Sequence, residues 1–361
     1  MIRQTHASLQ PHHSFRCPSI AEEEVRIQSE EDLLEAHQLG LFKEPWIVLG
    51  HGTNSLFLPK VLERVFLIEL EGFDHESFPD DQVLVRVGAG VKWDDVVEWS
   101  IDQGYGGIEA MIRIPGTCGA APVQNIGAYG QELNEVLVLV RAFDTKQGVF
   151  HEFTPDECGF SYRDSMFKKP EGRHWIITSI SMVLKGESYQ PNPSYPSLVA
   201  SLKEEGISSP TLRDIGHHVA TIRASKLPNP TSQPNAGSFF KNPILRGEQA
   251  QAFISTYPDA PWFEVTDQPS FETSSRDDLS DSLSEQERMV KIPAGWLIEQ
   301  TGLKGVTKGH VGVWPKQALV LYHDGEASGV DILALATMIQ EEVQKRFDIE
   351  LEREVRVYGS I

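Results

Sequence analysis

The chain has 361 residues, 40% of them hydrophobic and 23% charged, which is room for two or three domains with real cores. A formal net charge of −20 argues against a nucleic-acid partner, which would need a basic face, but leaves room for an anionic small molecule at a local positive site. Cys17, Cys118 and Cys158 are too scattered for a disulfide framework or a metal site, and neither a signal-peptide core nor a transmembrane run is present, so a cytoplasmic protein without membrane or metal is expected.

Residues 1–20 are polar and rich in histidine, with little to order them. Val25-Arg26-Ile27 continues a strand-like alternation from Glu22-Glu23-Glu24, and Ser29 before Glu30, Glu31 and Asp32 predicts a capped helix. Trp46–Gly50 predicts a buried strand running into a turn, and Val83–Gly88 repeats that pattern. Trp93, Val96, Val97 and Ile101 form an amphipathic stripe that Gly104 closes.

Between Ile114 and Leu133 four glycines (Gly116, Gly119, Gly127, Gly130) and Pro115 and Pro122 are interleaved with apolar residues. No regular helix or strand interior tolerates that mixture. The segment is either a tight corner in a core or a cradle whose exposed N–H groups face something flat or anionic.

Strands follow at Val136–Phe143 and Trp175–Leu184, then Pro- and Ser-rich interruptions at Gln190–Pro196 and Pro228–Pro234, with a domain boundary at Ala220–Leu227. Eight carboxylates against two arginines make Trp262–Arg288 acidic, and its Ser-rich part, 266–287, is expected to be a flexible insertion. Ile332, Leu335, Ala336, Ile339 and Val343 stripe a helix over 330–347. Leu351–Tyr358 alternates as a strand, with Glu352, Glu354, Arg356 and Tyr358 on one face. Strands and helices mix without regular βαβ alternation, which favours α+β over a doubly wound sheet.

Three further stretches could carry chemistry. Leu49-Gly50-His51-Gly52-Thr53-Asn54-Ser55 is a glycine turn after a strand, but Ser55 replaces the third glycine of a dinucleotide fingerprint and no helix follows. It is a backbone diphosphate site or an ordinary hairpin. Tyr162-Arg163-Asp164-Ser165 offers a ring and a bidentate donor, or an Arg–Asp surface pair. Asn235-Ala236-Gly237-Ser238-Phe239-Phe240-Lys241-Asn242-Pro243 presents a hydroxyl beside a permissive glycine, which is also how a turn serine looks.

Together with Lys226-Leu227-Pro228-Asn229-Pro230, Ala294–Gln300 and Leu351–Arg356, these motifs resemble, in order, the UDP-N-acetylenolpyruvoylglucosamine reductase family, from about residue 20 to the end. The resemblance implies a two-subdomain FAD-binding region of the vanillyl-alcohol-oxidase (PCMH) kind in residues 1–70 and 71–222. A C-terminal α+β substrate-binding domain, 223–347, would carry the acidic insertion, and 348–361 would bear Glu354. Gly50, His51, Gly52, Thr53, Asn54 and Ser55, with Pro115, Gly116, Thr117, Gly119, Ala120, Ala121, Gln124, Asn125 and Gly127, would cradle FAD, with Arg163 at its edge.

The implied reaction is cytoplasmic and belongs to peptidoglycan synthesis. NADPH reduces the flavin and leaves. Hydride then passes from flavin N5 to C3 of the enolpyruvyl ether of UDP-N-acetylglucosamine, giving the lactyl ether of UDP-N-acetylmuramate. Arg163 would meet the carboxylate, Ser238 would protonate C2, with its proton replenished through Lys241 or water, and Glu354 would support the enolic intermediate, most usefully with a raised pKa. Tyr162, Lys226, Asn242 and Gln300 would bind substrate. Tyr195 matches the substrate-covering tyrosine of the loop-bearing (type I) subclass, with Tyr189 close by. A monomer is expected, with no partner beyond the sugar nucleotide and NADPH. His51 stands where an acidic residue is common in the family. The glycine cradles alone would equally suit another FAD oxidoreductase of this fold, or a non-catalytic flavin- or nucleotide-binding module. Ser238, the 226–230 turn and Glu354 together distinguish the reductase.

Overall fold

A computed structural model describes residues 1–43, 45–265 and 289–361. The acidic stretch 266–287 lies outside the described residues. Contacts divide the chain into two compact units that do not follow its linear order: 1–9, 20–53 and 60–225 make the first, and 10–19, 54–59 and 226–361 the second.

The described residues of the first unit form two large sheets and the two-stranded hairpin Gly127–Ala128/Gln131–Glu132. One has four strands in the order Ile2–Ser8, Ile20–Ile27, Lys60–Ile68, Trp46–Leu49, with the first pair antiparallel and the other two parallel. Its apolar face, including Val25, Ile27, Phe66 and Ile68, packs with Leu33 and Ala36 of the helix Glu30–Gln38. Ser29 starts that helix through a reciprocal cap: its side chain accepts from the Asp32 amide while the Asp32 carboxylate accepts from the Ser29 amide. The other sheet is wholly antiparallel, ordered Val149–Phe153, Leu137–Asp144, Trp175–Lys185, Gln82–Gly88, Phe73–Phe78. Trp93, Val96 and Val97 of the helix Trp93–Gln103 pack into its core, and Gly104 ends that helix at φ 80°.

In the second unit the strands Asn235–Ser238, Val320–His323, Val311–Val313 and Thr307–Lys308 form one antiparallel sheet, and Ile244–Arg246, Met289–Lys291 and Phe263–Glu264 form another. The helix Gly329–Phe347 buries Ile332, Leu335, Ala336, Ile339 and Val343 against them, so the 3.6-residue stripe is the core face. The chain is α+β, as its unpatterned mixture of elements implies. All three cysteines are free and buried.

Two local expectations are corrected, on residues 1–20 and on the terminal strand, and one of the two alternatives left open for the 50–55 turn falls away. Residues 1–20 are ordered: Ile2–Ser8 pairs with Ile20–Ile27 through its backbone, and Leu9, Phe15 and Cys17 are fully buried. The turn after Trp46–Leu49 is not a hairpin, because Ser55–Phe57 pairs in parallel with Arg356–Tyr358. The terminal strand is only Arg356–Tyr358. Upstream, the Glu354 and Val355 amides both point at the Phe239 carbonyl, at 2.9 and 3.4 Å, and two donors on one acceptor interrupt the ladder.

Candidate active site

Two glycine loops meet in the first unit. A Cβ on Gly50 would stand 2.5 Å from Thr117 Oγ1, and one on Gly116 3.1 Å from Thr53 Oγ1. The Thr53 hydroxyl in turn donates to the Pro115 carbonyl at 3.3 Å. A side chain on Gly50 would force Thr117 to move and one on Gly116 would press on Thr53, and Gly116 adds a φ of 128°, which only glycine adopts without strain. The second loop is also tied to its own flank: the amides of Trp93, Cys118 and Gly119 reach the carbonyls of Gly116, Val91 and Ala89 at 2.9–3.1 Å. Those bonds leave the amides of His51, Gly52, Gly116 and Thr117 without an acceptor among the described residues. Four such donors on adjoining loops suit a diphosphate or a carbonyl-bearing ring.

Beyond Gly119 the segment folds back on itself. The Ala120 and Ala121 amides return to the Thr117 carbonyl at 3.0 and 3.2 Å, and Pro122–Gln124 makes one tight 3₁₀ turn. Asn125 follows at φ 41°, fully buried, giving its Nδ2 to Glu132 at 2.7 Å and taking the Asn134 amide at 3.1 Å. The carbonyls of Asn125 and Gly127 receive the Arg163 guanidinium at 3.3 and 2.6 Å. Arg163 is thus seated on the glycine-rich segment, beside the Tyr162 ring. Tyr195 packs edge-on against Tyr129 of the same segment, 5.1 Å between centroids, and burial raises the Tyr129 phenol above its ordinary value. His51 is held below the usual histidine value by burial and then by Lys92.

In the second unit, Gly237 at φ 69° turns the chain so that Ser238 is exposed while Phe239 and Phe240 are buried beneath it. The same stretch holds Glu354. Its amide donates to the Phe239 carbonyl at 2.9 Å, Phe240 bridges Arg353, and the Lys241 amide reaches the Glu352 carbonyl at 2.9 Å. The Lys241 ammonium lies 2.5 Å from the Glu352 carboxylate. Asn54 belongs here too, giving its side-chain amide to the Glu354 carbonyl at 3.2 Å and its carbonyl to the Arg356 amide at 3.1 Å. Asn242 Oδ1 accepts the Ala294 amide at 2.9 Å at the start of the helix Ala294–Gln300, whose last carbonyl, at Gln300, accepts from Arg346. The Lys226 carbonyl takes the Trp314 indole at 2.9 Å.

The structure therefore groups Gly50, Gly52, Thr53, Gly116, Thr117, Asn125, Gly127 and Arg163 in one unit, and Asn54, Ser238 and Glu354 in the other. Within the glycine-rich segment, nothing in the sequence assigns a role to Glu132 or Tyr129, which brace Asn125 and Tyr195. Nor does it mark Arg223, whose guanidinium burial holds below its ordinary value and whose Nη2 donates to the Arg113 carbonyl at 3.1 Å. Arg223 lies outside every motif, and within the segment the spacing signal comes from the glycines, not from Tyr129 or Glu132.

Comparisons with known proteins show the family and the fold. A family profile described as UDP-N-acetylenolpyruvoylglucosamine reductase, C-terminal domain, matches residues 229–358, and one described as FAD binding domain matches residues 22–154. The chain is 39% identical over 358 residues to a UDP-N-acetylenolpyruvoylglucosamine reductase of Pseudomonas aeruginosa, covering 98% of each. It is 37% identical over 354 residues to the protein of that name in Flavobacterium johnsoniae, covering 98% of this chain and 99% of the relative. The crystal structure of the UDP-N-acetylenolpyruvylglucosamine reductase from Thermus caldophilus has the same fold, with a TM-score of 0.65 at 24% identity over 99% of this chain and 98% of that one.

Proposed function

The chain belongs to the UDP-N-acetylenolpyruvoylglucosamine reductase family, and from that premise we propose how its own residues carry out the reduction. The activity is the FAD-dependent reduction of UDP-N-acetyl-3-O-(1-carboxyvinyl)-glucosamine to UDP-N-acetylmuramate in peptidoglycan synthesis. The residues fit the cofactor: four amides without an acceptor among the described residues, on two loops that approach closely through Gly50 and Gly116, are what a diphosphate and a flat ring need. Bound FAD supplies the two-electron transfer between a nicotinamide donor, which we take to be NADPH, and the enolpyruvyl carbon.

The rest falls to side chains. Arg163 binds the substrate carboxylate and meets the negative charge that develops beside it, because its guanidinium is already oriented by two backbone carbonyls. Ser238 gives its proton to C2, with Lys241 or water restoring it. Glu354 hydrogen-bonds the enolic oxygen that forms as charge spreads into the carboxylate. Lys226, Asn242 and Gln300 hold the UDP moiety, and Tyr162 and Tyr195 line the sugar nucleotide. Residues 1–70, apart from 10–19 and 54–59, which belong to the second unit, and 71–222 serve as the flavin subdomains, 223–347 as the substrate domain and 348–361 as the segment that presents Glu354. The observation that carries this reading is the bond between the Glu354 amide and the Phe239 carbonyl, 2.9 Å, which ties the proposed proton donor's strand to the proposed acid from the far end of the chain.

Anaerobic half-reactions test it. The yellow protein is reduced with NADPH, and the enolpyruvyl sugar nucleotide is then added. Reoxidation of the flavin is expected, and a flavin that stays reduced refutes the assignment. Ser238→Ala is expected to slow reoxidation far more than the NADPH step, and equal slowing of both removes Ser238 as proton donor.

A further inference from the structure

Tyr189 and Tyr195 stand at the two ends of one short stretch, and the structure treats them differently. The Tyr189 ring lies over Gly106 so closely that a Cβ there would be 2.0 Å from its Cδ1. Its hydroxyl donates to Glu109 Oε1 at 3.2 Å, and the Lys185 ammonium sits 4.7 Å from the ring centroid. Just upstream, Asp81 accepts from the Glu187 and Ser188 amides at 3.0 and 2.8 Å and from the Ser188 hydroxyl, and its carbonyl takes the Gly186 amide at 2.8 Å. The root of the stretch is clamped.

Glu109 is the other half of the contact. It is a carboxylate only 1% exposed, with Oε2 accepting the Gly107 amide at 2.6 Å. The next residue, Ala110, donates its amide to Gln131 Oε1 at 2.7 Å, and Gln131 pairs with Ala128 in the small hairpin of the glycine-rich segment. Residues 107–110 therefore touch both the root of the 189–195 stretch and the hairpin that Tyr195 packs beside, through Tyr129. Between the two tyrosines lie Pro191 and Pro193, and Pro196 follows. Proline fixes φ and stiffens an extended chain, so a shift at Tyr189 is carried to Tyr195 instead of being absorbed.

We propose that Glu109 and Tyr189 are positioning residues for substrate binding: their contact sets the register of the Tyr195 arm against the glycine-rich segment. This rests on the reading of Tyr195 as a substrate-binding residue. The nearby Glu135 carboxyl, pushed up to about 7 by burial and by Glu132, is consistent with a site already crowded with negative charge, in which Glu109 keeps its place through its two hydrogen bonds.

Tyr189→Phe and Glu109→Gln test the proposal in the flavin-loaded enzyme. Tyr189→Phe removes the hydrogen bond and Glu109→Gln replaces its charged acceptor by a neutral amide, so KM for the sugar nucleotide is expected to rise about three- to tenfold while kcat and flavin content hold and the melting temperature falls by no more than a few degrees. The double variant is expected to be no worse than the poorer single one, since both act on the same contact. Amide hydrogen exchange over 186–189, where all four amides are hydrogen-bonded, is expected to speed up in Tyr189→Phe, a readout independent of substrate. Unchanged KM together with unchanged exchange overturns the proposal. So does a loss of kcat and flavin in step with stability, which marks a merely structural contact. Faster exchange with unchanged KM overturns the link to substrate, and Tyr195→Phe then locates the fault: if that variant also leaves KM unchanged, the reading of Tyr195 has failed.

Discussion

Replacing Gly116 by alanine should separate the backbone geometry of the cradle from its chemistry. At φ 128° an L side chain is strained by about 1–3 kcal/mol. The new Cβ would also meet Thr53 Oγ1 at 3.1 Å and push it off the Pro115 carbonyl, forfeiting about 0.5–1.5 kcal/mol of hydrogen bonding. The two effects act at the junction of the loops whose free amides would face FAD. Strain that the apoprotein retains should lower its melting temperature by several degrees, whereas strain that the empty loops relax away must be restored on binding, so that, at 1.4 kcal/mol per tenfold, FAD affinity should fall by roughly 10- to 100-fold. Flavin fluorescence titration of the apoprotein measures the affinity, and circular dichroism the melting temperature. Gly206→Ala is the control: its φ of 74° carries a backbone penalty, but a Cβ there meets nothing within 4 Å, so FAD affinity should hold. Wild-type affinity in Gly116→Ala, or equal losses in both variants, would refute the reasoning.

Other predictions concern stability and reactivity. Gly329→Ala would put a Cβ 2.1 Å from the Phe57 carbonyl oxygen, a backbone clash that should lower the unfolding free energy by about 1–3 kcal/mol or more and with it the urea midpoint, and an unshifted midpoint would count against the packing described. Burial, opposed by a bond to the Cys17 carbonyl, holds the His13 imidazole down to about 4. The unfolded chain binds that proton more readily, near pH 6.5, so the associated stability is full above about 6.5 and is lost as pH falls towards 4, up to about 3 kcal/mol in all. His13→Gln should flatten the denaturation profile over that window, and an unaltered slope would show that other groups set it. Burial pushes the thiols of Cys17 and Cys158 up to about 12 and that of Cys118 higher still, so a thiol reagent at pH 8 should label none in the native protein and all three in denaturant.

What the sequence disclosed depended on whether a contact leaves a local mark. Ser29 with Asp32, the stripe ending at Gly104 and the 330–347 helix are set by neighbours within a turn or two, and they stand as their spacing implies. The N-terminal strand left no mark because Ile2–Ser8 is bound by backbone hydrogen bonds, while most of its side chains face solvent and carry no pattern. Alternation over 351–358 misled because a doubly used carbonyl at Phe239 breaks the ladder, and only that distant residue reveals the break. In the site, glycines betrayed the cradle because their spacing is compositional. Glu132 and Tyr129 stayed hidden because bracing a neighbour requires no particular neighbour in sequence.

The interleaving of the two units bears on how the chain can be made and divided. It passes from one unit to the other after residues 9, 19, 53, 59 and 225. Phe15, Cys17 and Leu56 lie in the same apolar cluster as the helix Gly329–Phe347, and Ser55–Phe57 is the pairing partner of Arg356–Tyr358. During synthesis those early residues must wait, uncovered, until the last part of the chain has left the ribosome. A fragment beginning at residue 226 would lack three core side chains and leave its terminal strand unpaired. The stretch 229–358 that the family profile delimits is therefore a unit of descent, and excising it would not yield a unit of folding.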